Sequence, residues 1–404
     1  MRETKRQEWV NWSESLRFTP DLIAEPESED ELADLVRRAA AEGKTVRPVG
    51  AGHSSTSLVK TDDILVSIEK ITGLVSHDTE NNRATLKAGT SLHDLGPALH
   101  EVGLALENYG DVDFQALCGA VGTGTHGTGI KLGSFSSMVV GGRMISASGD
   151  TVEIDEDDLD MLHAAQVSLG TLGFFTELTM RLVPALKLHR REWCVHIEDC
   201  LLHLDRLIEE NRNFDFYWHP RRDEAQLRTL NPPGEDPEEL FRELPTYEGI
   251  RKNDEGWSYE ILPQQHGIKF DEMEYMLPIE AFRDCFLEIR QRIKERHRQY
   301  VGWRVLCRTI AADDGFLSPY QGRDTMTISF LQNNTLPYKE YFEDIEHILR
   351  SYGGRPHWGK QHTLKAGDLR PLYPMWDHFA EIRERMDPDG VFLNDYLREL
   401  LIGE

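Results

Sequence analysis

Two glycine-rich segments constrain the fold of this 404-residue chain more than any other feature of its sequence. They are "VGAGHSS" at residues 49–55 and "GAVGTGTHGTG" at residues 119–129, and each carries a histidine among hydroxyl side chains. Glycine lets a backbone approach a ligand closely, and successive N–H groups then form a concave site for an anion such as a pyrophosphate. A single segment of this kind is usually a turn, whereas two of them favour a shared cofactor site.

Gly122, Gly124 and Gly127 also match the G-x-G-x-x-G pattern of dinucleotide-binding sites. In such a site the pattern follows an apolar strand directly and opens an amphipathic helix within a βαβ unit. Neither flank is present here. The match is therefore a weak sign of a Rossmann site, and a nicotinamide-dependent dehydrogenase stays only as an alternative.

The flanking patterns predict an α+β fold, with a change in the arrangement of strands and helices near residue 188. Ser28 and Glu31 form a capping box before an apolar stripe that Gly43 terminates, which predicts a helix over residues 28–43. Short strands and helices then follow without regular β-α alternation, including a hairpin around Gly149.

The second part is predicted to be an antiparallel sheet backed by helices. Its strands are expected at residues 191–197, 213–218, 268–277, 303–310 and 325–331, and its helices at 199–211, 279–298 and 338–351. The proline-rich, charged stretch of residues 231–256 is expected to be an exposed excursion.

Composition excludes several classes of partner. The formal charge of −25 argues against nucleic acid or an anionic membrane as partner, because both would be repelled. The chain has no 18-residue apolar run and no signal-peptide h-region, so neither a membrane span nor secretion is predicted. Five cysteines without a C-x-x-C pair favour a reduced protein, and a cytoplasmic location is expected.

No metal site is predicted. His53 and His126 have no carboxylate or cysteine at ligand spacing, and His357 and His362 do not form a recognised pair. The acidic run at residues 155–160 lacks the glycine and spacing of a calcium loop. From its own segment alone, His53 could be a histidine of a tight turn, a metal ligand, a catalytic base or a cofactor contact.

Five segments, taken together and in order, resemble the vanillyl-alcohol-oxidase superfamily of flavoproteins, in particular its aldonolactone oxidase and alditol oxidase branch. They are "VRPVGAGHSSTS", "KAGTSLHDLGPAL", "NYGDVDFQALCGAVGTGTHGTG", "GTLGFFTELTMRLVP" and "GGRPHWGKQHT". The resemblance spans nearly the whole chain and implies a two-domain, α+β FAD-binding fold of the PCMH type with an antiparallel-sheet cap. It implies an FAD-binding domain at residues 1–188, to which 363–404 return, and a cap or substrate domain at 189–362.

The resemblance implies FAD as the cofactor, and it implies that His53 is a covalent tether to the flavin and not the catalytic base. The implied pyrophosphate contacts are Pro48, Val49, Gly50, Ala51, Gly52, Ser54 and Ser55. The implied contacts along the ribityl chain and ring are Gly119, Gly122, Thr123, Gly124, His126, Gly127, Thr128 and Gly129, with Gly173 and Phe175 near the adenine.

For the substrate, the resemblance implies Arg308 on a cap strand and Lys360 in "PHWGKQH", with His362 as a lesser candidate. The family has a glutamate two residues before this arginine, but Leu306 stands there. Either another carboxylate replaces it, with Glu274 as a candidate, or the substrate lacks the hydroxyl that the glutamate binds. A surface ion pair is the alternative for Arg308 and Lys360.

The implied activity is that of an FAD-dependent oxidase. It takes a hydride from a carbinol carbon of a polyol or of a sugar lactone such as gulono- or arabinono-1,4-lactone, and dioxygen is reduced to hydrogen peroxide. Three alternatives stay open: a flavoprotein that uses a quinone or cytochrome as acceptor, a nicotinamide dehydrogenase, and a binding module without activity.

Overall fold

A computed structural model of the chain describes residues 1–244, 249–263, 269–333 and 335–403. Most strands in these ranges belong to three sheets, which we call the N-terminal, middle and large sheets. Two short pairs stand apart from them, namely Trp9–Val10 with Arg17–Phe18 and Leu104–Ala105 with Val183–Pro184. In the described part of the chain, every helix is too short or too polar to span a bilayer.

The N-terminal sheet has four strands, in the order Arg2–Lys5, Leu22–Glu25, Ile64–Ser67 and Val46–Val49. The first pair is antiparallel and the other two are parallel. The predicted helix over residues 28–43 is observed as Glu29–Ala41, with the Ser28 side chain accepting the Glu31 N–H. The Glu31 carboxylate accepts the N–H of Glu27, so only one half of the predicted capping box forms.

The middle sheet is antiparallel and contains five strands, in the order Thr151–Ile154, Val139–Ile145, Phe174–Arg181, Arg83–Lys87 and Leu74–Asp78. The pairing of its first two strands confirms the hairpin predicted around Gly149. The helices of this part are Leu92–Glu101, Leu117–Gly122 and Leu159–Gln166, with short 3₁₀ turns at Ser57–Val59 and Ser136–Met138.

The large sheet has eight strands and antiparallel pairing throughout, as expected for the cap. Their order is Ile250–Trp257, Lys187–His196, Glu224–Asn231, Asn213–His219, Val305–Ile310, Thr325–Asn333, Phe270–Pro278 and Arg355–Pro356. Residue 268, where one of these strands was predicted to begin, lies outside the described residues.

The expectation for residues 231–256 was wrong. The stretch contains the helix Glu238–Glu243 and most of the strand Ile250–Trp257, which pairs with Lys187–His196 at the edge of the large sheet. This edge strand is largely exposed, so it lacks the alternation of apolar and polar residues that identifies a half-buried strand. Residues 245–248 lie outside the described residues.

Helices flank the large sheet close to the predicted positions. The predicted helix 199–211 is divided into Ile197–Leu202 and Leu204–Glu209, and 279–298 is Phe282–Arg292 followed by a π-helical turn. Lys339–Ser351 agrees with the prediction. The remaining helices are Ser258–Ile261, Ala366–Leu369, Trp376–Met386 and Asp395–Leu397. Short turns occupy Ile279–Ala281, Arg370–Leu372 and Arg398–Ile402.

The C-terminal segment packs against the N-terminal sheet and the loop that follows it. The Val46 N–H donates to the Val391 carbonyl at 2.8 Å, and the side-chain amide of Asn394 donates to three carbonyls in the segment 57–60. The buried guanidinium of Arg47 donates to the carbonyl of Phe392. These contacts support the predicted return of residues 363–404, while the exact domain bounds stay a prediction.

Candidate functional site

Two adjoining cavities lie where the glycine-rich segments meet the large sheet. The first is lined by residues 47–54, by residues from 115–123 and by residues from 168–175. The second opens toward the strands of the large sheet. Both cavities are lined by His53, Ser54, Gln115 and Thr123, so these residues stand between them.

The first cavity is bounded in part by the bare backbone of glycines. A Cβ on Gly50 would lie 2.6 Å from the Cβ of Ala116, and one on Gly52 would lie 2.8 Å from Trp9. Gly52 also has a φ of +66°, which disfavours any other residue. Gly119 and Gly122 have no atom within 4 Å of their Cβ positions, so their backbone faces open space. Bare backbone of this kind is a surface that a pyrophosphate can approach closely.

Most of the predicted cofactor contacts line these cavities. The first cavity is lined by Pro48, Val49, Gly50, Ala51, Gly52, His53, Ser54, Gly119, Gly122, Thr123, Gly173 and Phe175. Ser55 and His126 line the second cavity instead. Residues that were not predicted also line the first cavity, among them Arg47, Cys118 and Leu169.

The second half of the glycine run has a different role from the predicted one. Gly124, Gly127, Thr128 and Gly129 line neither cavity. A Cβ on Gly127 would lie 2.4 Å from the side-chain oxygen of Asn108, and the Gly129 N–H donates to the carbonyl of Thr309 at 2.8 Å. These glycines therefore allow close packing against neighbouring loops and the large sheet.

The same geometry separates the run from a Rossmann site. The run leaves the C-terminal end of the helix Leu117–Gly122, whereas a Rossmann pattern opens the N-terminal end of a helix. The three glycines of the G-x-G-x-x-G match therefore do not surround a helix N-terminus that could hold a phosphate.

His53 lies at the junction of the two cavities. Its ring stacks on Trp12, with the ring centres 5.0 Å apart, and among the described residues it has no hydrogen-bond partner. Burial lowers the pKa of His53 to about 4, so the imidazole is neutral near pH 7. It is a neutral, unpaired ring beside the space that the cofactor would occupy.

Lys360 lies in the wall of the second cavity and contacts two carboxylates. Its ammonium is 2.8 Å from Oε1 of Glu272 and also bonds the fully buried Glu274. Burial alone would lower the pKa of Lys360, but the charges of Glu272 and Glu274 raise it above its ordinary value. For Glu274, burial would raise the pKa, but Lys360 and then His126 hold it well below the usual range. Glu274 is therefore an anion that holds a cation.

Arg308 pairs with a carboxylate that the sequence did not suggest. Its Nη2 atom is 2.5 Å from Oδ2 of Asp111, and only 6% of the residue is exposed, so it is not a surface ion pair. Asp111 also accepts from Arg228 Nη2 at 2.9 Å and from Tyr217 OH at 2.7 Å. Among the described residues Asp111, and not Glu274, is the carboxylate that pairs with Arg308.

The charge of Asp111 is fixed by its neighbours. Burial alone would raise the pKa of the Asp111 carboxyl, but the charges of Arg228 and Arg308 hold it well below its ordinary value. The residue stands in "NYGDVDFQ", one of the segments that carry the family resemblance. An acidic residue within that segment was the only signal by which the sequence could have revealed it.

His126, Glu274 and His357 each offer a donor atom within 4.8 Å of the others, which is a spacing that could suit a metal ion. However, Nδ1 of His357 accepts the Gly359 N–H at 3.1 Å, so a neutral His357 ring carries its hydrogen on Nε2. A metal-binding histidine donates from its other nitrogen instead. Lys360 also competes for Glu274. These contacts disfavour a metal at this cluster.

The surroundings of two histidines, His126 and His362, differ from those predicted from the sequence. Nε2 of His126 lies 3.2 Å from Oε1 of Glu274, although no carboxylate lies near His126 in the sequence. His362 lines neither cavity, and its Nε2 lies 3.4 Å from the Tyr396 hydroxyl. His362 therefore lies outside the lining of the candidate substrate site.

Comparison with known families gives two matches along the chain. Residues 20–155 match the FAD binding domain family, and residues 240–400 match the D-arabinono-1,4-lactone oxidase family. The two matched segments contain both glycine-rich segments, Arg308 and Lys360.

Curated relatives align along almost the whole chain. An L-gulono-1,4-lactone dehydrogenase from Mycobacterium tuberculosis is 35% identical over 97% of this chain and 99% of its own length. An L-gulonolactone oxidase from Scyliorhinus torazame is 29% identical, with 98% of each chain covered. An alditol oxidase from a Streptomyces species is 28% identical over 98% of this chain and 99% of its own.

Solved structures share the fold at low sequence identity. A variant of cholesterol oxidase from Brevibacterium sterolicum superposes with a TM-score of 0.86 at 15% identity, covering 99% of this chain and 97% of that one. A solvent-stable cholesterol oxidase gives a TM-score of 0.82 at 16% identity, covering 98% and 97%. The described chain therefore shares the fold of these proteins.

Proposed function

The chain belongs to the aldonolactone oxidase family of FAD-binding oxidoreductases, and we propose that it oxidises a carbinol carbon of a sugar lactone or an alditol. The observation that carries this proposal is the second cavity, whose lining includes His53 and two cations, Arg308 and Lys360. Each cation is paired with a carboxylate, Asp111 for Arg308 and Glu274 for Lys360. The names of the relatives support lactones and alditols as the substrate class.

FAD fits the first cavity. The backbone at Gly50, Gly52, Gly119 and Gly122 would hold the pyrophosphate and ribityl parts, since no side chain stands between it and the cavity. Bound flavin supplies the hydride acceptor and the path for electrons to a second acceptor. His53 would be its covalent tether, because the ring is neutral and has no hydrogen-bond partner to occupy its nitrogens.

The chain's own residues would bind and polarise the reacting hydroxyl. Two of the three ammonium donors of Lys360 are engaged by Glu272 and Glu274, and one remains for a substrate oxygen. Arg308 also lines the second cavity, where its guanidinium can contact a substrate oxygen. Such preorganised cations stabilise negative charge that develops on the oxygen as its proton leaves, because they need no reorganisation at the moment of reaction.

Dioxygen is the proposed acceptor, with hydrogen peroxide as product. One observation favours a second candidate: the relative at 35% identity is named a dehydrogenase, which suggests a quinone or a cytochrome instead. The two differ only in the step that follows substrate oxidation, so both can be tested on one protein sample.

The test is to mix the yellow holoenzyme without oxygen with gulonolactone, arabinonolactone, xylitol or sorbitol and to follow the flavin absorbance. Bleaching by one of them supports the proposal, and no bleaching by any of them would refute it. Air is then admitted to the reduced enzyme. Fast recovery with peroxide release supports an oxidase, whereas recovery only with an artificial electron acceptor supports a dehydrogenase.

A further inference from the structure

Three adjacent strands of the large sheet bring two arginines to one buried aspartate. The strand register places Asp215 opposite both Arg228 and Arg308. The carboxylate of Asp215 pairs with Arg228 at 2.5 Å, while the ion pair of Arg308 is with Asp111. Without Asp111 this row would hold two guanidinium groups and one carboxylate, so one positive charge would be buried without a partner.

Asp111 reaches the row from outside the large sheet. It stands in the loop between the strand Leu104–Ala105 and the helix Leu117–Gly122, and its side chain is 11% exposed at the wall of the second cavity. Arg228 and Tyr217 donate hydrogen bonds to its two oxygens, and Arg308 forms an ion pair with one of them. A carboxylate surrounded in this way is an acceptor that holds its neighbours, and not a base that takes a proton.

The strand of Arg308 has no acidic residue that could do the same. Leu306 faces the same cavity and is 4% exposed, and no acidic residue occurs in Val305–Ile310. An arginine side chain has several rotatable bonds, and fixing it costs free energy unless strong contacts restrain it. The bond to Asp111 restrains one Nη, while Nε stays without a partner among the described residues.

We propose that Asp111 is the positioning residue for Arg308, which it holds at the wall of the second cavity for contact with a substrate oxygen. This inference rests on the proposed function, because Arg308 is taken as a substrate contact. Asp111 acts through Arg308 and takes no part in proton transfer.

The first variant is Asp111→Asn, which keeps the shape but replaces the charge. We expect kcat/KM to fall about 100-fold, as when one preorganised donor is lost from a reacting oxygen. Flavin content should be unchanged. The matched control is Asp113→Asn, two residues further along the loop, whose carboxylate bonds His93 at 2.8 Å and lines neither cavity. This control should keep the wild-type kcat/KM.

A double-mutant cycle separates positioning from a general structural effect. In the background Arg308→Ala, the change Asp111→Asn should alter kcat/KM by about twofold or less, because there is no arginine left to hold. An equal loss in both backgrounds would overturn the proposal. If Asp111→Asn does not fold, Tyr217→Phe removes one contact of the carboxylate, and a fall of about fivefold is expected.

Crystal structures of the holoenzyme variants give a readout that needs no substrate. The guanidinium of Arg308 should leave its position in Asp111→Asn and keep it in Asp113→Asn. An undisplaced Arg308 in Asp111→Asn contradicts the proposal. A wild-type enzyme that oxidises none of the lactones or alditols contradicts the proposed function instead, and the structures would still decide whether Asp111 holds Arg308.

Discussion

The imidazole of His126 and the carboxylate of Glu274 meet in the interior, with Nε2 and Oε1 3.2 Å apart and both side chains buried. His126 comes from the second glycine-rich segment and Glu274 from the strand Phe270–Pro278 of the large sheet. The same carboxylate holds Lys360. A single buried anion therefore links the second glycine-rich segment to Lys360.

This link predicts how Glu274→Gln changes the pH dependence. The charges of Glu272 and Glu274 raise the pKa of Lys360 against burial, so removing one charge lowers it. If the protonated ammonium binds the substrate oxygen, the alkaline limb of kcat/KM must move to lower pH in Glu274→Gln. The pH profile of kcat/KM, measured from pH 6 to about 10.5, where a lysine ordinarily titrates, checks this prediction. An unchanged alkaline limb would mean that the ionisation of Lys360 does not control the reaction.

His53→Ala should abolish covalent attachment of the flavin. Protein precipitated with acid is expected to stay yellow for the wild type and to become colourless for the variant, with the flavin in the supernatant. His77→Ala, in the exposed part of the strand Leu74–Asp78, is the control and should keep a yellow pellet. A colourless wild-type pellet would mean that the flavin is bound without a bond to protein.

Gly52→Ala should lower the flavin content of the purified protein. Its Cβ would meet Trp9 at 2.8 Å, in a backbone conformation with a φ of +66°. The control is Gly43→Ala, which has nearly the same φ, +65°, but no atom within 4 Å of its Cβ. Both variants are expected to lose about 1 kcal/mol of stability through backbone strain. Only Gly52→Ala should lose flavin, measured as the ratio of absorbance at the flavin and protein bands.

Arg47→Met should destabilise the whole chain. The guanidinium is 1% exposed and donates to carbonyls of Leu58, Leu169, Gly170 and Phe392, and burial lowers its pKa to about 9. The variant leaves these carbonyls buried without donors, at a cost of about 3 kcal/mol or more. A clear fall in Tm is expected, whereas Arg38→Met, with a half-exposed side chain, should change Tm little.

His357→Gln and His357→Asn should differ. Burial, and then Lys360, lowers the pKa of His357 far below its ordinary value, so the ring is neutral. With Nδ1 accepting from Gly359, the Nε2–H remains a donor at the second cavity, without a partner among the described residues. The amide of Gln can replace Nε2, while that of Asn reaches only the Nδ1 position. We expect Gln to retain most of kcat/KM and Asn to lose at least about tenfold.

Local sequence predicted which backbone segments approach a cavity. The segment 47–54 lines the first cavity, where Gly50 packs against Ala116 and Gly52 packs against Trp9. Further along, Gly127 and Gly129 were also assigned to the cofactor, but they line neither cavity and pack against other loops and the large sheet. A glycine pattern reports that something lies close to the backbone, and it does not report whether that is a ligand or another part of the chain.

The sequence by itself determined the α+β class and the elements near the glycine-rich segments, and its resemblance to a family pointed to Arg308 and Lys360 as candidate substrate contacts. Only the tertiary structure decided which carboxylates hold them, namely Asp111 for Arg308 and Glu272 with Glu274 for Lys360. The physical reason is the distance along the chain over which each effect acts. Backbone conformation depends on a few neighbouring residues, whereas a buried charge is neutralised by whichever group the fold brings within about 4 Å, at any distance along the chain.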